Sequence, residues 1–134
     1  MAFLCCSNIQ EINFEEESIL QIIDQQAFDR CASLKKINIP DSVEHIEINA
    51  FAECNELVEV NFSENSNLEQ IHAEAFIFCR KLNKVTLPNS LKRIMYKNML
   101  NMIYPHKSHL LVFLNNNNPI IMETAQSSQT MLYK

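Results

Sequence analysis

The segment Ala27-Phe28-Asp29-Arg30-Cys31-Ala32-Ser33-Leu34-Lys35-Lys36-Ile37-Asn38-Ile39-Pro40-Asp41-Ser42-Val43-Glu44-His45-Ile46 decides the fold, because the chain repeats it on both sides. Ala-Phe recurs at 2–3, 50–51 and 75–76. Each pair leads to a cysteine: Cys6, Cys31, Cys54, Cys79. An aliphatic residue follows at Ile9, Leu34, Leu57 and Leu82, and another at Ile12, Ile37, Val60 and Val85. Phe14, Ile39, Phe62 and Leu87 close the run. After a loop comes a second apolar pair: Leu20 and Ile23, Val43 and Ile46, Leu68 and Ile71, Leu91 and Ile94. Self-similarity at such a period marks a stacked repeat, in which no unit can bury its apolar face alone.

Successive Ala-Phe pairs lie 25, 23 and 25 residues apart. The difference sits in one loop. Short repeats carry Ile39-Pro40-Asp41-Ser42-Val43 and Leu87-Pro88-Asn89-Ser90-Leu91. Long ones carry Phe14-Glu15-Glu16-Glu17-Ser18-Ile19-Leu20 and Phe62-Ser63-Glu64-Asn65-Ser66-Asn67-Leu68. Proline ends a strand sharply, so the turn can be brief. Without it the loop gains two polar residues.

Alternation and β-branching across Leu34–Ile39 predict a short strand, as at 57–62, 82–87 and, more weakly, 9–14. Apolar residues at Ala27, Phe28, Cys31 and Leu34 fit two helical turns. The expected fold is therefore a repeat solenoid. Each repeat supplies a short parallel strand, a turn, a second extended piece, and a short helical or 3₁₀ turn. Phe would stack on Phe and Cys on Cys, with strands about 4.8 Å apart.

Residues 1–97 are expected to form the array, about four repeats with the first truncated, and 98–134 a degenerate last repeat and flexible tail. Met99 takes the Phe slot and Met102 the Cys slot, but Pro105 falls where a strand leucine belongs. Leu110–Leu114 can supply one slipped strand before Asn115–Asn118 and Pro119 break the pattern. The array opens inside a repeat. An uncapped end exposes core and strand edge, which suggests a fragment of a longer array or self-association through that end.

Composition narrows the function. With 47% hydrophobic and 20% charged residues the chain is not of a disordered class. A net charge of −5 leaves no basic face for nucleic acid. No apolar run reaches membrane-spanning length, and the start lacks the charged and apolar regions of a signal peptide, so on this evidence the chain stays in the cytosol. Glycine is absent, so Asn, Asp, Ser or Pro must make the turns. Four of the five cysteines share one slot, which reads as small buried side chains rather than a disulfide framework. Cys5 stands outside that column and is the thiol most exposed to reaction.

Side chains flanking the middle aliphatic residue of each strand should point outward. One column is Glu11, Lys36, Glu59, Lys84; the other is Asn13, Asn38, Asn61, Thr86. The first alternates in sign at every rung, so it can fix register, serve as a polar recognition face, or both. These eight residues are the candidate protein-binding site. No catalytic constellation, cofactor site or metal site emerges. Glu15-Glu16-Glu17 lacks calcium-loop spacing, His106 and His109 have no third ligand nearby, and His45 and His72 fall in different repeat slots.

The fuller pattern, Ala-Phe-x-x-Cys-x-x-Leu-x-x-Ile-x-Ile-Pro-x-Ser-Val-x-x-Ile, resembles the BspA-like, or Treponema-type, leucine-rich repeat family over residues 2 to about 97. The resemblance implies a right-handed β/α solenoid. It also implies a non-catalytic surface or adhesin-like protein that binds host matrix proteins or other cells. The alternative readings are an intracellular scaffold, or a truncated fragment of a longer repeat protein with no independent function. The family pattern has glycine after the isoleucine preceding Ala-Phe. Here that slot holds Asp24, Glu47, His72 and Met95, which predicts a strained or rearranged turn.

Overall fold

A computed structural model describes residues 2–82 and 84–95, together with strands at 111–114, 120–123 and 128–131. Each repeat contributes two short strands, one to each of two sheets. The first sheet holds β1 (Glu11–Ile12), β3 (Lys36–Asn38), β5 (Glu59–Asn61), β7 (Lys84–Leu87) and β9 (Leu111–Leu114), all parallel and in that spatial order. The second holds β2 (Ile22–Ile23), β4 (His45–Ile46), β6 (Gln70–Ile71), β8 (Arg93–Met95), β10 (Ile120–Glu123) and β11 (Ser128–Met131). Its strands are parallel except for the β10–β11 pair. The fold is the expected parallel repeat solenoid. The second extended piece of each repeat is a true sheet strand.

Register follows the repeat frame. Ile12, Ile37 and Val60 stack in the first sheet, and Val60 pairs with Val85. Ile23, Ile46 and Ile71 stack in the second, and Ile71 pairs with Ile94. A single residue of slip would turn these columns to solvent, so burial itself fixes the register.

The expected helical turn is not formed. Among the described residues there is no helix, and Ala27–Leu34 is a chain of tight turns. The amides of Ala27, Asp29, Cys31 and Leu34 each bond the carbonyl three residues back. Those of Gln26, Phe28 and Arg30 bond Ile48, Ala50 and Ala52 of the next repeat. Half the donors are thus spent between repeats, and no helical ladder can run. Left-handed backbone is what reverses these donors. It occurs at Gln26, Asn49 and Glu74, and again at Cys5, Arg30, Glu53 and Phe78. These are two equivalent slots, one just before Ala-Phe and one just before the cysteine. The family's glycine slot (Asp24, Glu47, His72) does not adopt this geometry, so the strain lies two residues further on. In a chain without glycine each such residue costs about 1–2 kcal/mol.

Stacking offsets part of that cost. The Phe rings form one pile: Phe3 on Phe28 at 5.3 Å, Phe28 on Phe51 at 5.2 Å, and Phe51 on Phe76 at 5.2 Å between centroids. Each pair adds about 0.5–1.5 kcal/mol beyond its area burial. Cys31, Cys54 and Cys79 are buried beside the pile, and none of the five cysteines is disulfide-bonded. Each column thiol donates to the phenylalanine carbonyl of the preceding repeat: Cys31 to Phe3, Cys54 to Phe28, Cys79 to Phe51. Cysteine suits the slot because it is small, apolar and still a donor.

The two loop lengths close differently. In short loops Val43 bonds Pro40 and Leu91 bonds Pro88, a four-residue turn begun by proline. Long loops turn between Glu15 and Ser18, and between Ser63 and Ser66. The Ser18 and Ser66 hydroxyls then accept from the amides of Leu20 and Leu68.

Most of 98–134 lies outside the described residues, and the expectation of a flexible tail falls mainly there. The described strands in it extend both sheets. β9 pairs β7 from Lys84↔Leu111 to Leu87↔Leu114, and β10 pairs β8. β11 folds back antiparallel on β10.

Candidate functional site

The outward face of the first sheet carries the sequence-derived candidates. Buried Ile37 lies between exposed Lys36 and Asn38, and buried Val60 between half-buried Glu59 and Asn61. Glu11 and Asn13 are exposed at the first rung. The register runs Glu11↔Lys36↔Glu59↔Lys84, so the charge ladder alternates as expected. Lys36 Nζ lies 3.7 Å from Glu59 Oε2. Beside it, Asn61 Nδ2 donates to Asn38 Oδ1 at 3.0 Å. The side chains of Lys84 and Thr86 lie outside what is described, and only their strand positions are fixed. Beyond them Leu111 and Phe113 take the two slots, so the polar columns give way to apolar residues at β9.

Ion pairs between adjacent repeats recur elsewhere on the surface: Arg30–Glu53 at 3.4 Å, Lys81–Glu56 at 2.7 Å and Lys92–Glu69 at 2.6 Å. The Lys92 ammonium holds the Glu69 carboxyl below its ordinary range. Burial pushes the Asp29 carboxyl up, against the pull of the neighbouring Arg30 guanidinium. Such exposed pairs contribute little individually and mainly record register. A shallow depression of about 250 Å³ opens beside the strand face, lined in part by Asn13, Asn38, Glu15 and Asp41. It joins the polar columns to the acidic loop of the first long repeat.

The second sheet contains an arrangement that slot-by-slot reading passes over. His45 pairs with Gln70, so Glu47 and His72 sit opposite each other two residues further along. His72 Nε2 is 3.5 Å from Glu47 Oε1. The His45 and His72 rings are 6.3 Å apart and tilted by 60°. The two histidines do occupy different slots, as expected, but neighbouring rungs bring them together diagonally. The signal was available in the 25-residue offset between the repeats, which places 47 beside 72.

Thiol chemistry divides the cysteines. Cys5 is exposed and Cys6 half-buried, whereas Cys31, Cys54 and Cys79 are buried. Burial pushes the Cys31 thiol up to about 11. The neighbouring Cys79 thiol and burial push the Cys54 thiol up as well. Cys31 and Cys54 are therefore held as thiols, the inert form.

Two parallel sheets built from alternating coils, with a stacked aromatic pile between turns, define a leucine-rich-repeat solenoid. The chain belongs to the BspA-type leucine-rich repeat family, whose repeat matches residues 1–103 in six copies. Among solved structures it is similar to the Treponema pallidum leucine-rich repeat protein, at 32% identity and a TM-score of 0.66. The match covers 73% of this chain and 44% of the other, so the chain spans less than half the length of that relative. No curated protein matches it.

Proposed function

We propose that this chain is a non-catalytic protein-binding module of a surface or adhesin-like protein, and that it engages its partner through the outward face of the first sheet. Membership of a leucine-rich-repeat family supports a protein-interaction module in general terms. The face itself carries the finer reading. Behind it the repeats from Ala27 onward bury the same slots, Phe62 only in part, while in front Lys36, Asn38, Glu59 and Asn61 present charge and amide groups from a regular frame. Binding residues placed on a scaffold this regular keep their spacing without a loop to order. Extracellular-matrix proteins are the partner class that the family resemblance suggests.

The test is biolayer interferometry of the full chain over a panel of immobilised matrix proteins, with Lys36→Glu/Lys84→Glu as the comparison. Loss of about tenfold or more in affinity, with unchanged circular dichroism, supports the strand face. Equal binding by the variant, or no binding by the parent chain, refutes it.

A second reading, an intracellular scaffold of the same fold, is favoured by one observation: all five cysteines are free and three donate hydrogen bonds as thiols. Labelling intact cells with a membrane-impermeant amine reagent separates the two. Labelled protein supports the surface reading, and labelling only after lysis supports the scaffold.

A further inference from the structure

We propose that His45, Glu47 and His72 form a binding site for a divalent transition-metal ion of the zinc class on the outward face of the second sheet. The site is separate from the strand face of the first sheet and does not depend on it.

Its construction follows from strand geometry. Side chains alternate along a strand, so the inward Ile46 and Ile71 leave His45, Glu47 and His72 on the other face. β4 and β6 are parallel neighbours in fixed register. One ligand atom from each of the three residues lies within 4.8 Å of the others. Bonds of about 2.0–2.2 Å in tetrahedral geometry set donor atoms about 3.3–3.5 Å apart. Glu47 and His72 already stand at 3.5 Å. The His45 donor, within 4.8 Å of the other two, has at most about 1.3 Å left to close.

Three further observations fit a cation here. His45 Nδ1 is shut away from solvent and has no hydrogen-bond partner, an unmet demand that a buried polar atom rarely carries. The side chains of Glu47 and His72 are only 28% and 27% exposed, so water competes weakly for their donor atoms. Nearby Glu69 is already paired with Lys92, and Glu47 is the carboxylate that stands within reach of both imidazoles. Two imidazoles with one carboxylate suit zinc, cobalt, nickel or copper and not the oxygen-seeking calcium or magnesium. The three ligands leave one coordination position for water. Because they come from two successive repeats, the ion would clamp those repeats together.

The test is Co²⁺ and Zn²⁺ titration of the full chain in a Cys5→Ser/Cys6→Ser/His106→Gln/His109→Gln background, which removes the accessible thiols and the other two histidines. The expected result is one Co²⁺ per chain, with visible absorption of nitrogen–oxygen type and no thiolate charge-transfer band. His45→Gln, His72→Gln and Glu47→Gln should each weaken binding about tenfold or more. Zn²⁺ should raise the melting temperature of the background protein and leave that of His45→Gln/His72→Gln unmoved. Outward-facing substitutions spare the core, and far-UV circular dichroism checks this for each variant. Undiminished Co²⁺ binding by the double variant, a thiolate band, or no binding by the background protein would each overturn the proposal.

Discussion

The two sheets share one core and wear different faces. On the first, the outward columns repeat a rule: charge of alternating sign in one, Asn in the other until Thr86. On the second, the corresponding slots change chemistry at nearly every rung: Ile22, His45, Gln70, Arg93 in one column and Asp24, Glu47, His72, Met95 in the next. Behind both lie the same stacked aliphatic, Phe and Cys residues. The difference teaches that interior columns hold the solenoid, and that each face is free to carry its own chemistry.

The comparison breaks most severely if the interior is cut. Phe51 is fully buried between Phe28 and Phe76, whereas Phe3 is 44% exposed with one stacking neighbour. Phe51→Ala should cost about 3–5 kcal/mol in urea unfolding and Phe3→Ala only about 1 kcal/mol. Equal costs would mean that the pile is not a cooperative column.

The cysteine column comes next. Cys54→Ala removes a buried sulfur and its bond to the Phe28 carbonyl, and should cost about 1–2 kcal/mol by the same measurement. The pH dependence has a defined sign. A thiol whose folded pKa is raised adds stability below its unfolded value and loses it as pH rises through the folded one. For Cys31 the loss runs from 9.0 to about 11. Thermal melts should therefore fall across that window, and alkylation at neutral pH should reach Cys5 and Cys6 while sparing the buried Cys31, Cys54 and Cys79.

A smaller effect, of opposite sign, is expected at the left-handed turns. Phe78 holds a φ of 59° and is 47% exposed. Phe78→Gly should raise stability by about 0.5–1 kcal/mol, relief of strain outweighing the entropy of a freer unfolded chain. The smallest effect belongs to the first-sheet ladder. Lys36→Glu places like charges against Glu11 and Glu59 and should cost about 0.2–0.5 kcal/mol, mostly recovered in Lys36→Glu/Glu59→Lys. A double-mutant cycle reads that coupling directly.

The fixed slots made the interior and the first-sheet register readable from sequence. Ile12, Ile37, Val60 and Val85 stack because the repeat frame already aligns them. The turn after Ile23 was not readable in the same way. Ala27, Phe28, Cys31 and Leu34 satisfy a helical spacing, but a chain of tight turns also closes every three residues, and only the bonds to Ile48, Ala50 and Ala52 distinguish them. The His45–His72 approach was hidden because it crosses slots diagonally and needs the second sheet to be a sheet. The absence of a period at 120–134 gave no sign of β10 and β11.

The central claim is that the interior columns alone hold the fold and leave the outward face free to vary. Urea unfolding of Lys36→Thr/Asn38→Thr/Glu59→Thr/Asn61→Thr beside Phe51→Ala tests it most directly. The quadruple variant gives up one exposed ion pair and one amide hydrogen bond, and should lose less than about 2 kcal/mol, against about 3–5 kcal/mol for the single core substitution. A quadruple variant as unstable as Phe51→Ala would show that the face is part of what holds the solenoid together, and would contradict the claim.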